Sequence, residues 1–199
     1  SKLGSSASRT MQVAQKLYEG IDLGGETVGL ITYMRTDGVQ MAPEAIEETR
    51  KVIGEEFGNL YLPEKARFYS SKAKNAQEAH EAVRPTSLAR LPKEVASKLD
   101  DDQRRLYELI WKRTIASQMA SAKIERTAAE LRANADGQTA TMRANGSVVK
   151  FDGFLSVYQD TRKKEDEDDK RLVPLKEGEK ISREEINASQ HFTEPPARY

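Results

Sequence analysis

The spacing of apolar residues changes once along this chain, near Ala122, and that change limits the folds open to it. Upstream, apolar residues recur at helical spacing in runs broken by Gly20, Pro43, Arg84-Pro85 and Pro92. Downstream they alternate, and Asp136-Gly137 and Asn145-Gly146 each supply a dipeptide suited to a tight hairpin. Helices gathered in the first 120 residues and strands in the remainder give an α+β chain.

Helical spacing of Ala7, Met11, Ala14 and Tyr18 predicts a helix from about Ser8 to Glu19, with Ser5 or Ser6 as its cap and Gly20 as its stop. Residues 21–27, with Gly24-Gly25, read as a turn, and the apolar run 28–32 as a short buried strand. Tyr33 to Gly38 leaves that strand as a polar loop. Pro43 suits the first turn of a second helix running to about Phe57, with Glu44, Glu47 and Glu48 near its positive end. Residues 60–74 read as irregular, 75–83 and 92–99 as short helices. Asp100-Asp-Asp102 caps the longest helix, about 103–120, whose core side is Leu106, Leu109, Ile110 and Met119 with Tyr107 and Trp111 beside them. Residues 123–133, 138–144 and 147–151 then read as three antiparallel strands, with 154–158 continuing the sheet. The charge run 162–171 reads as an exposed loop, and 180–192 returns as strand-like sequence. The opening Ser-Lys-Leu-Gly and the closing Pro-Pro-Ala-Arg-Tyr read as the ends of a piece cut from a longer protein.

Composition narrows the chemistry. With no cysteine among 199 residues, disulfides, thiolate zinc sites, iron–sulfur clusters and a cysteine nucleophile are excluded. No stretch approaches the roughly 20 apolar residues that span a bilayer. Lys+Arg and Asp+Glu both number 32, so a nucleic-acid partner would have to meet a locally basic surface on a neutral chain.

The segment Ile31-Thr-Tyr-Met-Arg-Thr-Asp-Gly38 carries the densest chemistry. An apolar run delivers Tyr33 to its end, and Arg35 and Asp37 follow in the loop. A phenol ionises near ~10, so a tyrosine that attacks phosphorus needs a cation or base beside it. Arg35 could be that cation, and its planar fork could hold a phosphate by two parallel hydrogen bonds. The same spacing also describes a strand-edge tyrosine beside an Arg35–Asp37 surface pair.

ITYMRTDG closely resembles the active-site segment of the type IA DNA topoisomerases, of the bacterial topoisomerase I kind. Gln77-Glu-Ala-His-Glu-Ala-Val-Arg-Pro-Thr86 resembles the family's AHEAIRPT segment, and His191-Phe-Thr-Glu-Pro-Pro-Ala-Arg-Tyr199 its HFTxPPAR(F/Y) segment. Arg9-Thr-Met-Gln, Ala14-Gln-Lys-Leu-Tyr-Glu19 and Phe151-Asp-Gly-Phe154 add to the match, which runs in the family's order over nearly the whole chain. Met34 and the His80-Glu-Ala-Val-Arg-Pro85 string favour topoisomerase I over topoisomerase III and reverse gyrase.

The resemblance implies that residues 1–120 are the tyrosine-bearing domain, helical with a small sheet and similar to the fold of catabolite activator proteins. Residues 121–199 would be part of a β-rich arch, in which His191 is structural. It implies that Tyr33 cleaves one DNA strand through a 5′-phosphotyrosine, that the other strand passes, and that resealing needs no ATP. Arg35 and His80 would be catalytic with Tyr33; Arg35, His80 and Arg84 would contact single-stranded DNA; Glu81 shares the His80 motif without a direct role assigned. The substrate would be negatively supercoiled DNA, acted on in the bacterial cytoplasm at the nucleoid. Magnesium would sit on a Toprim domain of the whole enzyme, and no metal is assigned to this chain. The acidic run 165–169 reads as a solvated loop, because five consecutive acids do not converge as a hard cation requires. The isolated segment is expected to be inactive. Two other readings stand beside this one: a non-enzymatic single-stranded nucleic-acid-binding module in which Tyr33 stacks on a base, and a tyrosine recombinase, which would leave a 3′-phosphotyrosine.

Overall fold

The computed structural model describes residues 3–70, 81–158, 172–182, 185 and 187–193. Among these residues, four helices and two two-stranded antiparallel sheets give an α+β arrangement, helices before the long hairpin as read from the sequence. Helix α1 spans Ala7–Glu19, strands β1 and β2 are Ile21–Asp22 and Thr27–Val28, and α2 spans Pro43–Glu56. Helix α3, Pro92–Val95, runs into a 3-10 turn at Ala96–Lys98 and then α4, Asp101–Gln118. Strands β3, Lys123–Ala135, and β4, Gln138–Phe151, form one long hairpin, followed by a 3-10 helix at Gly153–Val157.

Helix α4 organises the core because its buried side chains serve two clusters. Leu106 and Tyr107 meet Val13, Ala14 and Leu17 of α1 together with Ile21, Leu30, Ile31 and Val95. One to three turns on, Trp111 and Ile115, with Met119 at the helix end, meet Val52 and Ile53 of α2 together with Leu88, Leu91 and Val157. Its start is fixed by a reciprocal cap: Asp100 accepts from the Gln103 amide at 2.8 Å and Gln103 accepts from the Asp100 amide at 3.0 Å. The polar ends of core side chains are satisfied within the core, Trp111 donating to the Leu88 carbonyl at 3.0 Å and Tyr107 to the Arg90 carbonyl at 2.8 Å.

Several expectations are corrected. Helix α1 forms where predicted, with Ser6 as its cap. Its buried stripe is Val13, Ala14 and Leu17, whereas Met11 and Tyr18 are exposed. In α4 the predicted core residues Leu109 and Ile110 are only half-buried, and Thr114, Ile115 and Gln118 are buried instead. Residues 28–32 are not one strand: β2 ends at Val28, and Leu30 and Ile31 are buried against α1 and the 84–86 segment rather than beside a second long strand. Asn145-Gly146 is not a turn. Asn145 lies opposite Ala128 and Gly146 opposite Thr127, in the middle of one uninterrupted β4. Only Asp136-Gly137 turns the chain, with φ of 51° and 75°. Residues 154–158 do not extend the sheet, because Gly153 at φ 50° breaks the strand and the chain winds into a 3-10 helix that buries Val157. The described residues between 180 and 192 contain no strand. The helix expected over 75–83 falls outside the described residues except at 81–83, which are not helical; the 162–171 loop falls outside them altogether.

Candidate nucleophile site

Tyr33 stands where the chain leaves the core. Leu30 and Ile31 are fully buried, and two residues later Tyr33 is 47% exposed. The anchoring is local and dense. The Leu30 amide donates to the Leu17 carbonyl at 2.7 Å, at the end of α1. Ile31 bridges Pro85 as an antiparallel partner. Thr32, between the buried pair and the tyrosine, makes three short hydrogen bonds to the 82–84 segment, besides a longer one of 3.4 Å from its hydroxyl to the Arg84 carbonyl. Its amide donates to the Arg84 carbonyl at 2.9 Å, its hydroxyl donates to the Ala82 carbonyl at 2.8 Å, and that hydroxyl accepts from the Arg84 amide at 3.0 Å. The Tyr33 ring meets the ring of Tyr18 edge-on, centroids 5.3 Å apart and planes at 69°, a favoured aromatic geometry.

Arg35 lies two residues beyond Tyr33, exposed, its Nε 3.0 Å from Oδ2 of Asp37. The other Asp37 oxygen is buried and accepts no hydrogen bond among the described residues. His80 falls outside the described residues. Arg84 does not share the exposure of Arg35. Its side chain is 13% exposed, and it grips Glu81 in parallel, Nε to Oε1 at 2.8 Å and Nη2 to Oε2 at 3.0 Å, while Nη1 donates to the Pro85 carbonyl at 2.8 Å. Most of the guanidinium fork is therefore spent inside the protein. Glu81 in turn accepts from the Ala42 amide, just before α2, at 2.8 Å. Burial opposes ionisation of Glu81, but the Arg84 hydrogen bonds, the Ala42 amide and the Arg84 charge outweigh it and hold the carboxyl below its ordinary range.

Sequence reasoning singled out Tyr33, Arg35 and Arg84, and the structure puts all three on two adjacent segments. It missed Thr32, which lay inside the quoted motif, and the contact of Tyr18 with Tyr33. It quoted Glu81 without a role. His191, exposed, lies 3.0 Å from the Ser189 hydroxyl. Among the described residues no three His, Asp or Glu side chains converge to hold a metal ion, and no helix is long and apolar enough to cross a membrane.

A family model described as DNA topoisomerase matches residues 1–199. The chain is 53% identical over its whole length to DNA topoisomerase 1 of Rickettsia bellii, of which it covers 25%. It is 51% identical over its whole length to DNA topoisomerase 1 of Xylella fastidiosa, covering 24%. The solved structure of full-length topoisomerase I from Thermotoga maritima superposes with a TM-score of 0.72 at 38% identity, over 89% of this chain and 27% of that one. The chain thus spans about a quarter of the length of the curated relatives it matches.

Proposed function

The chain belongs to the bacterial DNA topoisomerase I family, and from that premise we propose that it carries the nucleophile of a type IA topoisomerase. Tyr33 Oη attacks the phosphorus of a phosphodiester in single-stranded DNA. The phenol gives up its proton as the new bond joins its oxygen to the 5′-phosphate, the bond from phosphorus to the 3′ oxygen breaks, and that oxygen takes up a proton as it leaves. The phosphotyrosine ester conserves the bond energy, so the reverse attack by the 3′-hydroxyl reseals the strand without ATP. Between the two steps the intact strand passes and negative supercoils relax.

In this reading Arg35 binds the scissile phosphate, exchanging Asp37 for the phosphate oxygens as charge develops. His80 contacts the DNA backbone near the cleavage point or balances protons there. Arg84 is committed to Glu81, and the ion pair as a whole carries little net charge to offer the DNA. Residues 1–120 act as the tyrosine-bearing domain and 121–199 as part of the arch that carries it to and from the rest of the enzyme. Magnesium would sit on the Toprim domain of the whole enzyme. The site of action is the bacterial nucleoid.

The observation that carries the reading is the placement of Tyr33: half-exposed on a loop whose root is buried and pinned, with a cation two residues away. One observation favours the bland reading of this motif, a tyrosine beside a surface ion pair: Arg35 pairs with Asp37. A denaturing gel of 5′- and 3′-labelled oligonucleotides, incubated with the full-length enzyme carrying this segment, decides between them. The parent should capture the 5′-phosphate side of the break. Tyr33→Phe should bind the oligonucleotide and capture nothing. Capture by Tyr33→Phe means another nucleophile, and capture of the 3′-phosphate side means a recombinase-type reaction.

A further inference from the structure

Both ends of the loop that carries Tyr33 are tied to the same short segment, residues 81–86. At the incoming end, the Thr86 hydroxyl donates to the Gly29 carbonyl at 2.7 Å, the Thr86 amide donates to the Leu30 carbonyl at 3.0 Å, and Thr32 is bound to Ala82 and Arg84 by the three bonds described above. At the outgoing end, the Ala82 amide donates to the Gln40 carbonyl at 2.7 Å, and the Ala42 amide donates to Glu81 Oε1 at 2.8 Å. Between the two anchors lie only residues 33–39, with Tyr33, Arg35 and Asp37 among them. The backbone of Arg84 holds the incoming end and the side chain of Glu81 holds the outgoing end. The two-pronged Glu81–Arg84 ion pair joins one anchor to the other.

We propose that the Glu81–Arg84 pair is a positioning clasp: it fixes the separation of the two ends of the 33–39 loop, and so the placement of the Tyr33 hydroxyl relative to Arg35. This deepens the nucleophile reading and rests on it. Neither Glu81 nor Arg84 touches the reacting atoms. A short loop closed at both ends has few conformations left, and displacing a nucleophile by about 1 Å costs on the order of 10²-fold in rate. The fork geometry is what the clasp uses, so lysine at position 84 keeps the charge but not the paired grip. Glutamine at position 81 keeps an acceptor for the Ala42 amide but loses the charge that draws in Arg84.

The test uses the full-length enzyme with Glu81→Gln and, separately, Arg84→Lys. Three quantities are read: the dissociation constant for a single-stranded oligonucleotide, the single-turnover cleavage rate at saturating oligonucleotide, and amide hydrogen exchange of the peptides spanning 29–42. The expected result is binding within about threefold of the parent, cleavage slower by about 10- to 100-fold, and faster exchange at Thr32 and Ala42 with the α4 peptides unchanged. Unchanged exchange overturns the clasp, because the pair then holds nothing. Faster exchange with parental cleavage also overturns it, because the loop then needs no fixing. Weakened binding with a parental saturated rate overturns it in favour of Arg84 as a direct phosphate contact. If one variant fails to fold, by the criterion of lost protection in α4, the other decides. Failure of the nucleophile reading is seen separately, as adduct formed by Tyr33→Phe, and leaves the exchange measurement standing.

Discussion

Arg35 and Glu81 are both charged residues near Tyr33, and the structure gives them opposite surroundings. Arg35 is exposed and pairs with the Asp37 carboxylate at the surface, where a phosphate can compete with that pair. Removing it in Arg35→Ala should leave the nucleophile in place and slow covalent capture by about 10²–10³, the usual loss for one pre-organised charge contact at a reacting centre; the readout is the time course of adduct on a denaturing gel, and a parental rate would return Arg35 to the role of a surface partner for Asp37. Glu81 is partly buried, and its carboxyl is held below the ordinary carboxylate range. A carboxyl lowered in the folded state stabilises the fold at pH values above its unfolded value, and that contribution is lost as pH falls through the lowered value. Exchange at Thr32 and Ala42 should therefore stay slow down to the ordinary carboxylate range and quicken only at more acid pH; Glu81→Gln should abolish that step. Tyr33 and Arg35 were legible in the sequence because one motif holds them. Thr32 and Glu81 were not, because their partners lie 50 and 39 residues away, and no local pattern records which distant carbonyl or amide a side chain meets.

Among the elements, α4 was legible because its cap, its length and most of its apolar stripe agree. Replacing Asp100 by Ala should cost about 1 kcal/mol of unfolding free energy, measured by urea denaturation, since the Gln103 amide loses its acceptor. Helix α1 shows how a correct element can carry a wrong face. The rows 7-11-14-18 and 13-14-17 both have helical spacing, and the second won because it faces α4 across the first core cluster. The hairpin failed differently: Asn145-Gly146 has turn chemistry, but thirteen pairings from Ala135–Gln138 to Lys123–Phe151 carry β4 straight through it. Asp136-Gly137 already closes the ribbon, and a second reversal would break that ladder. The root of the ribbon is fixed at Gly153. A Cβ there would lie 2.5 Å from the Ala120 carbonyl oxygen and 2.7 Å from the Ser121 carbonyl carbon, at a positive φ that L-residues resist. Close by, Tyr61 donates to Asp152 at 2.8 Å, and the Ala120 amide donates to the Tyr61 carbonyl at 2.7 Å. Gly153→Ala should destabilise the chain by about 2–4 kcal/mol, from left-handed strain and backbone overlap together, and thermal unfolding of the variant measures it. A loss below about 1 kcal/mol would mean that the junction shifts easily.

For the whole molecule, the question is whether 199 residues with balanced charge can hold a polyanion without the rest of a topoisomerase. Many cations are already answered inside the chain. Arg9, Arg84, Lys112, Arg132 and Lys150 each meet a carboxylate at 2.6 to 3.0 Å, with Asp102, Glu81, Glu108, Glu130 and Glu125 respectively. The surface therefore offers local rather than global attraction, and binding should be confined to a few phosphates around the Tyr33 loop. Each phosphate contact on a single strand contributes a slope of roughly −0.7 to log K against log salt. A chain using two or three contacts should give a slope near −1.4 to −2, with Arg35→Ala lowering its magnitude by about 0.7. Fluorescence titrations of a labelled single-stranded oligonucleotide at several salt concentrations measure both. Duplex DNA of the same length should bind more weakly, as the single-strand reading proposed above requires. In magnesium buffer these 199 residues by themselves should leave supercoiled DNA unrelaxed, since they span about a quarter of the length of the relatives and among the described residues no three His, Asp or Glu side chains converge to hold a metal ion. A slope near zero, or a preference for duplex, would mean that the Tyr33 loop is not the DNA-contacting surface, whatever the full-length relatives do.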